Sequence, residues 1–150
     1  MIDRLKKERY VLDTNQIVGA GTAWLVKHPV APTGTKAKLL CYVVSQQQGL
    51  YSGKIVGEYL EKLIDLGHDP ERTKTLIAYI LGAFQRVAIV TAAAPFPPAD
   101  HDDEVFLLCA IDGQAHFVVT EDKHLLAVSG QYSAFKIGSL ETLGLTARLV

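Results

Sequence analysis

Four acidic residues, far apart in the chain, stand where chemistry can be done: Asp13, Glu58, Asp103 and Asp122. Asp13 ends the short apolar run Tyr10-Val11-Leu12 and is followed by Thr14-Asn15, which are turn and cap residues. Asp122 follows a second apolar run, His116 to Thr120, one residue after Glu121. Both patterns read as strands that end by presenting a carboxylate. In open α/β sheets, sites lie just past the carboxyl ends of the strands. Several carboxylates gathered there repel one another and cannot all stay ionised without a counter-cation. Hard oxygen ligands suit Mg²⁺ or Mn²⁺, which activate water and steady the charge on a phosphodiester being cut. The acids therefore point to a metal-dependent phosphodiesterase or phosphatase. No serine, cysteine or histidine constellation competes, and no glycine-rich phosphate loop is present.

The elements that must position these acids alternate. After the first strand comes a short stretch of helical character, then a loop marked by Gly19, Gly21, Pro29 and Pro32. Leu39, Leu40, Val43 and Val44 predict a helix over about 34–48, and Leu50-Tyr51 a second strand. Ser52 is placed to cap the next helix, whose stripe is Ile55, Val56, Tyr59, Leu60, Leu63 and Ile64, with Gly67 as its stop. Glu58 lies roughly 60° around that helix from Ile55, at the edge of the stripe. From position it is either a surface glutamate or one leaning toward the core boundary. Asp69-Pro70-Glu71 starts a helix that runs to about Gln85. Val87 to Val90 reads as a third strand, and three prolines stiffen the loop from Thr91 to Ala99.

The segment from Val105 to Ile111 is apolar on every side and predicts a buried helix. Asp103 shares a face with Phe106, Leu107 and Ala110, where a carboxylate is costly without a partner. A cap needs one acid, and three stand at 102–104, so Asp103 is either a cap or a functional group. His116 to Thr120 reads as the fourth strand and Ala134 to Ile137 as the last. A short helix lies between them, and Ser139-Leu140-Glu141-Thr142 opens a small closing helix. The alternation implies a parallel sheet with helices on both faces.

The bulk numbers fit this. A chain of 150 residues suits one domain, and 49% apolar residues can fill its core. A net charge of −1 argues against a nucleic-acid binder working by bulk charge, though not against a local basic patch. No apolar run is long enough to span a membrane, and the first residues do not resemble a signal peptide. Cys41 and Cys109 read as core thiols of a reducing cytoplasm, and the five histidines show no zinc spacing. Arg4, Lys6, Lys7 and Arg9 read as a solvated lead-in, with a phosphate-contacting arm as the alternative.

Four stretches carry a further signal: Val11-Leu12-Asp13-Thr14-Asn15, Ser52-Gly53-Lys54-Ile55-Val56-Gly57-Glu58-Tyr59, Asp102 to Ala110, and Val118-Val119-Thr120-Glu121-Asp122-Lys123-His124-Leu125-Leu126. In that order the chain resembles the PIN-domain family, most of all its small members related to VapC, the toxins of toxin–antitoxin pairs. The resemblance implies a three-layer α/β/α sandwich with a parallel sheet of about five strands. It implies a Mg²⁺- or Mn²⁺-dependent ribonuclease acting on single strands and leaving a 5′-phosphate and a 3′-hydroxyl. Asp13, Glu58, Asp103 and Asp122 match the family's four acids as catalytic and metal-holding residues. Asp103 is chosen over Asp102 because it stands seven residues before Ala110. Asn15 matches the polar residue that steadies the first acid, Thr120 the supporting hydroxyl, and Ser52 the helix start. A small antitoxin and a second copy of the chain are the protein partners the resemblance implies, beside RNA.

One position departs from the family pattern. Glu121 stands where glycine is common, and it could be a further ligand, tilt outward or weaken binding. Lys36, Lys38, Lys54 and Lys123 are the candidates for phosphate contacts, against ordinary surface lysines. Two other readings remain open. One is a catalytically silent PIN-like module that binds RNA or protein. The other, a phosphatase or phospho-acceptor domain, ranks lower because Asp13-Thr14-Asn15 lacks a second Asp two residues on.

Overall fold

Tyr10, Val11 and Leu12 have no exposed surface, which is what a strand with neighbours on both edges and helices on both faces requires. In the computed structural model, which describes residues 6–26 and 34–149 with the side chains of 23–26 excepted, this strand, β1 (Arg9–Leu12), is the centre of the sheet. To one side lie β2 (Gln48–Tyr51) and β3 (Gln85–Arg86). To the other lie β4 (Phe117–Val119) and β5 (Lys136–Gly138). All pairings are parallel, and Val11 sits opposite both Leu50 and Val118. The helices are α1 (Thr14–Val26), α2 (Thr35–Gln46), α3 (Gly53–Asp65), α4 (Pro70–Ala83), α5 (Glu104–Asp112) and α6 (Lys123–Leu126). The architecture is the expected α/β/α sandwich around five parallel strands.

The local signals explain most boundaries. Ser52 Oγ accepts the N–H of Ile55 and starts α3, and Asp69 Oδ2 accepts the N–H of Arg72 and starts α4 with Pro70 in its first turn. Gly67 follows α3 with φ +75°, a conformation other residues adopt only under strain. Along α3, Ile55, Tyr59 and Leu63 are fully buried, whereas Leu60 and Ile64 at the edge of the stripe are exposed. Each buried aliphatic side chain of this kind contributes about 2 kcal/mol. The Tyr59 hydroxyl donates to the Leu12 carbonyl and so ties α3 to the end of β1.

Three expectations are corrected. Gly19 and Gly21 lie inside α1, not in a loop. They are there for close approach: a Cβ on Gly21 would come within 2.9 Å of Leu76 and 3.3 Å of Leu63, and one on Gly19 would overlap the stem of Lys36. The rest of that expected loop, Pro29 and Pro32, and the lead-in residue Arg4 lie outside the described residues. The third strand is Gln85–Arg86, before Val87–Val90. Val87 still donates to the Tyr51 carbonyl, but the Asp112 carboxylate then takes the N–H groups of Val90 and Thr91, drawing an edge segment out of the sheet. The closing segment at Ser139 makes a turn in place of a helix, with a 3-10 turn at Thr146–Leu149. Four residues that cap themselves locally give too few backbone bonds to propagate a helix.

Candidate metal and nuclease site

Parallel pairing of β1 with β4 aligns their carboxyl ends, so the residues just past them are neighbours. Asp13 heads α1 and is 5% exposed. Its Oδ2 accepts a short hydrogen bond from Thr120 Oγ1, and its Oδ1 takes the N–H of Asn15 at 3.3 Å. The same Thr120 oxygen accepts the N–H of Asp122 at 2.9 Å. Thr120 is fully buried and fixes both strand-end acids. Asp122 then caps α6, accepting the N–H of His124 at 2.8 Å through Oδ1. Asn15 steadies Asp13 through its backbone; its side chain is exposed on the cavity wall.

The acid run before α5 divides its labour. Asp100 performs the cap, accepting the N–H of Asp102 at 3.0 Å. Glu104 turns inward, takes the N–H of Ala94 at 2.8 Å, and faces His101 at 3.3 Å. Asp102 is exposed. Asp103 caps nothing: its Oδ2 is buried without a hydrogen-bond partner among the described residues. A structural role for Glu104 is what sequence reasoning missed, since a glutamate next to an apolar run looks like the surface end of the helix.

Asp13, Glu58, Asp103 and Asp122 line one cavity of about 290 Å³, with Asn15 and Phe106 in its wall and Lys62 as its one cation among the lining residues. The inner three feel each other. Burial, then the charges of Asp122, Asp100 and Asp13, push Asp103 up to about 7. Burial also raises Asp13 and Asp122 adds to this, although the Thr120 and Asn15 hydrogen bonds pull the other way. Glu58 is raised by burial and by Glu61, Asp102 and Asp100. It therefore belongs to the outer rim, one step from the inner trio. Among the described residues no three such side chains are drawn together closely enough, as they stand, to grip one ion. The donor chemistry fits a hard divalent cation nonetheless: oxygen donors alone, net negative charge, and one buried carboxylate oxygen with nothing to bind.

The remaining expected residues sit differently. Ser52 acts as a helix cap and lines the neighbouring groove. Lys54 lines that groove too, whereas Lys123 and Lys38 are exposed and line neither space. Glu121 tilts outward: it pairs with Lys36 Nζ at 3.1 Å, takes a weak hydrogen bond from Gln16, and stays out of the acid cavity.

Comparison with known proteins bears on the fold and the family. No curated protein matches the chain. Among solved structures, a chain of VapBC2 from Rickettsia felis, bound to a DNA fragment from their promoter, is similar in fold. The TM-score is 0.55 at 16% identity, covering 86% of this chain and 96% of that one. A family model described as PIN domain matches residues 9–124, which takes in all four acids. The chain belongs to the PIN-domain family, whose members are generally nucleases.

Proposed function

We propose that the protein is a metal-dependent endoribonuclease for single-stranded RNA, acting in the cytoplasm as the toxin of a toxin–antitoxin pair. The observation that carries this is the meeting of four acids from four separate elements in one cavity, with a buried Asp103 oxygen that has no hydrogen-bond partner among the described residues. Asp13, Asp103 and Asp122 would hold Mg²⁺ or Mn²⁺, and Glu58, at the rim, would complete the shell or orient water. The ion, when bound, supplies Lewis acidity and lowers the pKa of water. Thr120 holds Asp13 and the Asp122 backbone in register, and its hydroxyl, followed by the Asn15 N–H, favours the ionised form of Asp13 against the effect of burial. Lys54 is a candidate phosphate contact beside the cavity. Lys123, outside both spaces, is a weaker one.

A small antitoxin protein and a second copy of the chain are proposed as partners; the likeness to VapBC2 supports the first. The test is incubation of the purified protein with total RNA, with and without Mn²⁺, beside Asp13→Asn. Cleavage should need both the metal and Asp13. Full activity of the variant would refute the role of Asp13.

The spacing of the carboxylates favours a second reading, a silent module that binds RNA or protein. A nuclease should melt higher with Mn²⁺, by about 2.7 kcal/mol of stability at a hundred times Kd, and a silent module should not.

A further inference from the structure

A groove of about 790 Å³ adjoins the acid cavity and shares Glu58, Glu61 and Asp102 with it. Lys54, Glu58 and Glu61 all line it, spaced i, i+4 and i+7, so they lie on one face of α3. That face changes sign along its length, from a cation at the first turn to acids at the second and third. Lys54 and Glu58 are about 6 Å apart along the axis, of the order of one step of an extended nucleic-acid strand.

Arg86, the last residue of β3, stands at the cationic end. A Cβ on Gly53 would be 3.9 Å from Arg86 Nη2, so the guanidinium lies against the start of α3, beside Lys54. Among the described residues Arg86 forms no ion pair, and neither does Lys54. His101, which also lines the groove, faces Glu104 instead. Val87, Ile89, Val105 and Leu108 give the groove an apolar wall. Two unpaired cations, an apolar wall and an adjoining carboxylate centre make a complement to one nucleotide: phosphate at one end, base against the wall, the next linkage over the acids.

We infer that Arg86, with Lys54, binds the RNA phosphate next to the linkage that is cut, and that Val87, Ile89 and Leu108 receive the adjoining base. This rests on the nuclease reading for its polarity but on the groove for its contacts. A guanidinium suits this task because its planar fork meets two phosphate oxygens at once.

The test uses a short fluorescent single-stranded RNA in EDTA, with anisotropy as readout, and copies in which each phosphate in turn is a neutral methylphosphonate. Wild-type protein should lose about tenfold in affinity at one linkage, the neighbour of the cut. Arg86→Gln should bind the unmodified RNA about tenfold more weakly, lower the salt slope by about one, and bind the copy neutral at that linkage as the wild type does. Arg86→Lys should recover part of the loss. An Arg86→Gln protein that cuts RNA and matches wild type in affinity and salt slope overturns the inference and leaves the nuclease standing. So does one that binds weakly yet still senses the same linkage. If the wild type binds without cutting but shows a one-linkage signature that Arg86→Gln abolishes, the phosphate contact of Arg86 holds, and the nuclease reading falls together with the position of that phosphate beside a cut. If it neither binds nor cuts, both fall.

Discussion

The Thr120 hydroxyl donates to Asp13 Oδ2 while accepting the backbone N–H of Asp122, so one buried oxygen ties together the ends of the two central strands. Replacing Thr120 with Val keeps the shape and removes both bonds. It should cost about 1–3 kcal/mol in urea unfolding, because a buried carboxylate and a backbone N–H lose partners. Asp13 should then ionise less readily and Mn²⁺ affinity should fall. Thr120→Ser should restore most of both. Unchanged Mn²⁺ affinity in the Val variant would show that Asp13 does not need this bond.

Asp103 should make stability fall with rising pH when no metal is bound. Its carboxyl is pushed up to about 7 in the folded chain, against about 3.9 in an unfolded one. The folded state therefore holds the proton more tightly. That stabilising contribution is whole below about pH 4 and is lost as the pH climbs through 7. Melting in EDTA at pH 5 and pH 8 should show wild type losing more than Asp103→Asn. At pH 8 the variant should be the more stable by about 1 kcal/mol, and inactive. Parallel losses would exclude Asp103 as the carrier of that proton.

Tyr59→Phe removes the bond from α3 to the Leu12 carbonyl, inside the core. The expected cost is about 1–2 kcal/mol, since the carbonyl is left without its donor. Glu58 is the preceding residue, so cleavage should also fall, while Glu58→Gln should reduce cleavage with little change in stability. Thermal melts and initial rates on the same preparations separate the two effects.

Glu121→Gly should be mild. The Lys36–Glu121 pair is largely solvated, with side chains 34% and 59% exposed, and such pairs contribute at most about 1 kcal/mol. Because Glu121 points away from the acids, Mn²⁺ affinity and RNA cleavage should be retained. Loss of Mn²⁺ binding in this variant would mean that Glu121 serves as a ligand.

Much of this molecule could be read directly from residue order. Tyr10-Val11-Leu12 and Phe117-Val118-Val119 are too apolar for anything but central parallel strands, and Ser52 and Asp69 mark helix starts by chemistry that acts within three residues. Asp13 and Asp122 could be named as candidates because strand ends in a parallel sheet converge, whereas Glu58 and Asp103 are left open by position and singled out by the family resemblance. What stayed hidden depended on partners distant in sequence. Gly19 and Gly21 looked like loop residues because nothing local shows that Lys36, Leu63 and Leu76 crowd α1. Val87 to Val90 has strand composition, and only Asp112, more than twenty residues later, diverts it. Arg86 gave no signal at all, since a lone arginine acquires meaning from the groove it faces.

The central strand comes first in the chain, and its neighbour β4 near the end. During synthesis, Asp13 and Glu58 therefore appear well before Thr120 and Asp122, and Asp103 shortly before them. A nascent chain halted before residue 117 would have the earlier three acids but neither the tether nor the last one.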